Sequence, residues 1–373
     1  MPFCTTGTQP GGADAELNDN GVRIFYRTYG QGPTKILLII GLAGTHDSWG
    51  PQIKGLVGTD TPNYDETRTG DWNSDENERG SGIQICAFDN RGMGQSSVPT
   101  KKSEYTTKIM AKDAIAMLDH LGWKSAHVFG HSMGAMIACK LAAMVPERVL
   151  SLALLNVTGG GFECFPKEYL EEYVGPNTRR SILYQEYVRC ISATGMQSNN
   201  GFEGQVNACW THKMTRLEIE RIHSAGFLVS VIHGRHDIIA QLYYARRLAE
   251  KLQPAARMIE LHGGHLVSHE RTEEVNQALL ELIKASEVKI NPHEWTNLPK
   301  KTSGWIGTRM ALIRVNMEGG SNVSFPFYLL SKLHIFLLYL FGLFFMAFEY
   351  GRRALKGFKT VRVGPSLALP NGE

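Results

Sequence analysis

Residues 126–135 read Ala-His-Val-Phe-Gly-His-Ser-Met-Gly-Ala. A short apolar run enters Gly130-His131-Ser132-Met133-Gly134, and Ala135-Met136-Ile137-Ala138-Cys139-Lys140-Leu141-Ala142 continues with helical composition. A strand, a sharp turn and a helix within so few residues leave the backbone little choice of path. The serine must sit in strained backbone, and neighbours larger than glycine would collide with the adjoining strand and helix. The hydroxyl is then presented at the end of a sheet, at a helix N-terminus that favours developing negative charge. Ser132 is therefore the candidate nucleophile.

Mostly apolar runs at Ile36–Ile40, Ile83–Phe88, Ala126–Phe129, Leu150–Leu155, Phe227–Ile232 and Met258–Leu261 have the character of central parallel strands. Gly21–Tyr29 alternates apolar and polar residues and predicts an early strand. Helical patterns at Thr106–Leu121, Gln241–Leu252 and Thr272–Ser286 lie between or after the runs. This alternation predicts an α/β fold with a doubly wound, mostly parallel sheet covered on both faces. Two stretches break the rhythm. Residues 60–79 hold seven acidic side chains and few apolar ones, and predict a solvated loop. Residues 161–226 are helical in flavour and fall between two strands, as a lid over a pocket would.

A serine hydroxyl needs a base, an acid that orients the base, and donors for an oxyanion. In sheet enzymes these groups sit on loops at strand C-terminal ends. The run ending at Ile232 continues His233-Gly234-Arg235-His236-Asp237, which puts Asp237 just beyond a strand. The run ending at Leu261 continues His262-Gly263-Gly264-His265, where two glycines let the loop turn back over the site. His265 is the favoured base, with His262 and His269 as rivals. His131 is read as a packed residue, and Asp89 and Arg91 as structural. His233, His236 and Asp237 lack any further ligand pattern that would make a metal site, so neither metal nor cofactor is expected.

With those residues in place, the chain resembles the α/β-hydrolase superfamily over roughly residues 20–285. The resemblance includes the elbow around Ser132 and the order Ser132, Asp237, His265. It also includes Phe88-Asp89-Asn90-Arg91-Gly92-Met93-Gly94-Gln95-Ser96-Ser97, similar to the family's loop after an early strand. Gly41-Leu42-Ala43-Gly44-Thr45-His46-Asp47-Ser48-Trp49 is similar to the family's oxyanion loop. The resemblance implies that the backbone N–H groups of Leu42 and Met133 are the oxyanion donors. Two positions depart from the family pattern: Ile40 precedes Gly41 where many members have histidine, and no proline follows Asp237. A serine nucleophile sets the chain apart from the aspartate-based epoxide and haloalkane hydrolases of the same superfamily.

The net charge of +3 does not point to nucleic acid, and the surplus lies in residues 349–373, with five basic and two acidic side chains. The start, Met1-Pro2-Phe3-Cys4-Thr5, lacks the basic and apolar segments of a cleaved signal peptide. None of the six cysteines forms a C-x-x-C pair, and reduced thiols are expected. Phe325–Phe348 is apolar apart from Ser331, Lys332 and His334, and as a helix would be about 36 Å long, enough for a bilayer core. The expected organisation is an N-terminal extension (1–20), a core in two parts (21–160 and 227–286), the lid (161–226), a linker (287–324), a membrane helix (325–348) and a basic tail (349–373). The expected protein is a membrane-associated serine hydrolase with its catalytic domain on the cytosolic side. It would cleave carboxylic esters of a lipophilic small molecule or lipid. A small-molecule receptor with slow or single turnover, or an acyltransferase, are the alternatives.

Overall fold

The structure, a computed structural model, describes residues 2–6, 21–63, 82–164 and 197–299. Its contacts divide the chain into two units, 1–299 and 300–373, and the following concerns the first. The expected acidic loop lies largely outside the described residues, as do the middle of the expected lid and the whole of the expected membrane helix and basic tail. Among the described residues no helix is long and apolar enough to cross a membrane.

Eight strands form one sheet in the order β1-β2-β4-β3-β5-β6-β7-β8. They are β1 (Phe3–Thr6), β2 (Val22–Tyr29), β3 (Thr34–Ile39), β4 (Ile83–Phe88), β5 (Ala126–His131), β6 (Val149–Leu155), β7 (Leu228–Gly234) and β8 (Ala256–Leu261). β1 pairs antiparallel with β2 and β2 with β4; every other pairing is parallel. β1 lies in the stretch expected to be an extension. Four residues carry too little periodicity to reveal a strand, and it forms only because Phe3 and Cys4 find Phe25 and Ile24 across the sheet.

The mostly apolar runs are explained by the two covered faces. Successive side chains of a strand point to opposite sides, so each run is shared between two cores. Leu37, Ile39, Phe88, Val128 and Leu154 face a core that includes residues of α2 (Thr107–His120), α3 (Met133–Met144) and α6 (Leu242–Lys251). Ile36, Leu38, Ile85, Phe129 and Leu155 face the other, with α1 (Gly50–Val57) and α8 (Thr272–Glu287). α3 is buried almost throughout and is apolar except for Lys140.

The described part of the insertion contributes α4 (Asn199–Thr211) and α5 (Arg216–Ser224). Lys140 on α3 donates to Glu218 Oε1 on α5 (2.7 Å) and to Lys213 O (2.7 Å), which fastens this segment to the core. The short helices α7 (Val267–Glu270) and α9 (Pro292–Trp295) flank α8. The start of the expected linker also docks on the sheet. Trp295 is buried and its Nε1–H donates to Val229 O (2.9 Å), while Asn297 exchanges hydrogen bonds with the Met258 backbone. Cys4, Cys86 and Cys139 are buried free thiols.

From β3 the chain moves to β4 on one side, while β5, β3's other neighbour, continues to β6 on the other. Such a reversal leaves a crevice at the carboxyl ends of the two central strands. The loops after β3, β4, β5, β6, β7 and β8 all emerge on that side of the sheet.

Candidate active site

The turn after β5 holds Ser132 at φ 54°, ψ −120°, a left-handed conformation for a residue with a side chain. Surrounding bonds impose it. Ser132 N–H donates to Leu155 O (2.9 Å), and Ser132 O accepts from Ala135 N–H (2.9 Å) as α3 begins. The flanking glycines are required by close approach. A Cβ at Gly130 would overlap Gly134 O, and one at Gly134 would overlap Ile39 O.

His265, four residues beyond β8, places Nε2 2.9 Å from Ser132 Oγ and Nδ1 2.8 Å from Asp237 Oδ2. An ionised carboxylate only accepts hydrogen bonds, so the proton sits on Nδ1 and leaves Nε2 to accept from the serine hydroxyl. The His265 backbone is itself held: His131 Nε2–H donates to His265 O (2.8 Å). Burial, with a smaller contribution from His265, pushes the His131 ring down to about 3. His131 is therefore a neutral prop beside the serine, with its ring 5.2 Å from that of His265.

Asp237 is buried, yet its carboxylate is fully engaged. Oδ1 accepts from Ile239 N–H (2.9 Å) and Ala240 N–H (2.8 Å), and Oδ2 from His265 Nδ1 and Asn156 Nδ2 (2.5 Å). Burial alone would raise this carboxyl. The hydrogen bond and charge of His265, together with Asn156, outweigh it and hold the group below the ordinary carboxylate range. The turn after Asp237 needs no proline because the carboxylate itself caps it. His233, fully buried, donates from Nε2 to Ala240 O (2.6 Å) and supports the same turn. Burial lowers its pKa.

Gly41 lies against the serine, where a Cβ would stand 3.0 Å from Ser132 Cβ and 3.1 Å from His131 O. Of the expected oxyanion donors, Leu42 follows Gly41 in the chain, and Met133 is the first residue of α3, where an N–H has no acceptor within the helix. The loop after β3 is tied at three points. Asn90 Nδ2 donates to Ile40 O (2.8 Å), Ala43 N–H donates to Gln205 Oε1 (3.0 Å), and His46 N–H donates to Asp89 Oδ1 (2.8 Å).

The rival bases lie elsewhere. His262 is bound by Arg271 through its carbonyl (2.6 Å) and Nδ1 (3.2 Å), and His269 Nδ1 faces Ser268 Oγ (3.2 Å). Asp89 accepts from His46 and from Gln95 N–H, and so organises its own loop. Arg91 makes a two-pronged pair with Asp113 (2.6 Å and 2.6 Å) and donates to Glu104 O. Among the described residues no group of three His, Cys, Asp or Glu side chains is placed to hold a metal ion.

Two residues of the site escape sequence reasoning. Asn156 begins an Asn-Val-Thr triplet that reads only as an irrelevant glycosylation sequon, but it is buried at φ 50° and reaches Asp237 and Gly264 O (3.0 Å). Its position just beyond β6 was the available signal. Gln205 lies in the expected lid with no local motif at all.

A family model described as the alpha/beta hydrolase fold matches residues 35–172. The dihydrolipoyllysine-residue acetyltransferase component of the acetoin cleaving system of Pseudomonas putida is 26% identical over 223 residues, 54% of this chain and 56% of that relative. The chain thus spans about half the length of this relative. The enol-lactonase of Burkholderia xenovorans LB400 superposes with a TM-score of 0.54 at 20% identity, over 71% of this chain and 98% of the other. A carboxylesterase structure from Nitrososphaera gargenis gives 0.59 at 18%, over 78% and 100%. At these identities the structural matches establish the shared fold.

Proposed function

We propose that this chain, which belongs to the α/β-hydrolase superfamily, is a serine hydrolase that cleaves carboxylic esters through an acyl-enzyme. The observation that carries the proposal is the continuous chain from Ser132 Oγ through His265 to Asp237, at 2.9 Å and 2.8 Å. It puts a hydroxyl, a base with a free lone pair, and a fixed carboxylate in the order that acyl transfer requires.

Ser132 Oγ attacks the ester carbonyl carbon as its proton passes to His265 Nε2. The carbonyl electron pair moves to oxygen, where the N–H groups of Leu42 and Met133 stabilise it. A donor of this kind is worth on the order of 3 kcal/mol in the transition state. Asp237 stays ionised and steadies the imidazolium. Collapse expels the alcohol, which takes the proton from His265. Water then attacks the acyl-enzyme with His265 again as base, and releases the acid and the free serine. The relative's name, an acyltransferase component, is in keeping with chemistry at an acyl carbon.

A lipophilic substrate and a membrane location are part of the same proposal. They rest on the apolar run Phe325–Phe348 and on aromatic residues of the insertion, of which Trp210 on α4 is about half exposed. Loss of membrane sedimentation on deleting residues 325–348 is the expected result; unchanged sedimentation would sink this part.

The test of the chemistry is hydrolysis of p-nitrophenyl esters from acetyl to palmitoyl by the full chain in detergent, wild type against Ser132→Ala. Steady turnover lost in the variant supports the hydrolase, and a preference for the longer chains supports the lipophilic substrate. A stoichiometric burst without turnover would favour acyl transfer to another acceptor or a slow-turnover receptor. Equal rates in both proteins would overturn the assignment of Ser132.

A further inference from the structure

We infer that Gln205 is a positioning residue for the oxyanion hole, through which the seat of α4 sets the geometry of the Leu42 N–H. This rests on the function proposed above. Gln205 is fully buried, and its carboxamide joins three segments. Oε1 accepts from Ala43 N–H (3.0 Å) in the loop after β3 and from Gln197 Nε2 (3.0 Å). Nε2 donates to Arg91 O (3.0 Å) in the loop after β4.

The loop after β3 needs such a tie. Ala43 stands at φ 59°, in the left-handed region that a residue with a Cβ enters only at a cost. The turn's own hydrogen bond, from Gly44 N–H to Gly41 O, is long at 3.3 Å. Of the three anchors on this loop, those at Ile40 O and His46 N–H come from Asn90 and Asp89 of the core. The anchor next to Leu42 comes from the insertion. Fixing the Ala43 N–H fixes the peptide plane between Leu42 and Ala43, and with it how Leu42 is turned toward Ser132. A loop free to leave the left-handed state at Ala43 would carry the Leu42 N–H off the oxyanion position, where donor geometry matters at the level of a few tenths of an ångström.

The helix that carries Gln205 is rigidly seated. A Cβ at Gly201 would overlap Gly92 O, and one at Gly204 would overlap the Tyr105 ring, so α4 rests with its backbone on the loops of the core. Gln197 Nε2 also donates to Gly92 O (2.9 Å). Asn207, on the same helix, donates to Lys102 O and Tyr105 O (3.1 Å each), both outside the loop after β3. It is the natural control.

The experiment compares the full-length wild type with Gln205→Met and Asn207→Ala. Four quantities are measured: the rate of Ser132 labelling by a fluorophosphonate, kcat and KM on the p-nitrophenyl ester turned over fastest, and the affinity for a trifluoromethyl ketone of the same acyl length. That ketone forms a tetrahedral adduct and so reports the oxyanion hole. Gln205→Met is expected to lower labelling, kcat and ketone affinity together by about tenfold, with KM within twofold of wild type. Asn207→Ala should leave all four within about twofold. Gln205→Asn, too short to reach both Ala43 and Arg91, gives the same reading should methionine at 205 prevent folding. A folded Gln205 variant with wild-type kcat and ketone affinity would overturn the inference, as would equal losses in Asn207→Ala. Failure of the fluorophosphonate to label wild-type Ser132 would overturn the function itself, and the inference with it.

Discussion

Asn156 Nδ2 donates to the same oxygen of Asp237, Oδ2, that His265 Nδ1 contacts, at 2.5 Å against 2.8 Å. The carboxylate that steadies the histidine is therefore aimed from the neighbouring strand end. Asn156 sits at φ 50°, so glycine can replace it without backbone strain. Asn156→Gly should lower kcat by roughly 10- to 100-fold, the scale of one lost hydrogen bond to a charged group, with KM little changed. Steady-state kinetics on a p-nitrophenyl ester checks it, and an unaltered kcat would show that Asp237 needs no such aim.

The elbow should tolerate no methyl group. The Cβ of an alanine at 134 would overlap Ile39 O, which is backbone and has no side chain to move aside. Gly134→Ala is expected to destabilise the fold by about 3 kcal/mol or more, at the upper end of overpacking costs. Urea unfolding, or failure to recover soluble protein, reads the effect.

Arg91 and Asp113 form a buried pair with two 2.6 Å bonds. Removing one partner strands the other charge. Arg91→Met should therefore cost about 3–5 kcal/mol, whereas Arg91→Met with Asp113→Leu should recover most of that loss. Chemical unfolding of the three variants with wild type closes the cycle. Equal losses in single and double variants would show that Arg91 acts mainly through its bond to Glu104 O.

Stability should fall in acid partly through His212. Burial, and secondarily the nearby Lys140, lower this ring from 6.5 to about 3, and its Nδ1 lies 2.8 Å from Thr107 Oγ1. Below pH 6.5 the unfolded chain takes up a proton that the folded chain refuses. The contribution is therefore complete above about pH 6.5 and is lost as pH falls toward 3, at about 1.4 kcal/mol per pH unit. His131 and His127, lowered to about 3 and about 4 chiefly by burial, add slopes of the same sign. Urea midpoints between pH 7 and 5 should show a shallower decline for His212→Asn than for wild type, by close to one proton.

The strands and the serine turn were legible because their signals are local. Runs of four to eight apolar residues report burial on both faces of a sheet, and Gly130 and Gly134 report close approach within one turn. Asp237 and His265 were legible for a related reason: each follows closely on a strand, and in a parallel sheet those ends share one edge. The choice of His265 over His262 followed from the two glycines between them, which let the later histidine swing back. β1 and the docking of Trp295 were not legible, since Phe3–Thr6 and Pro292–Trp295 are four-residue segments whose partners, Phe25 and Val229, are distant in the chain.

By itself, then, the amino-acid order determined that a doubly wound sheet forms, that Ser132 stands in a strained turn at its edge, and which loops surround it. Only the tertiary structure decided how those loops are held. Asn156 reaches Asp237 because β6 and β7 pair in register, Leu155 with Ile232. Gln205 reaches Ala43 because two glycines of α4 bring the helix into contact with the core. A periodic pattern reports which face of an element is buried; the neighbour that a buried amide meets there depends on contacts between segments 81 and 162 residues apart.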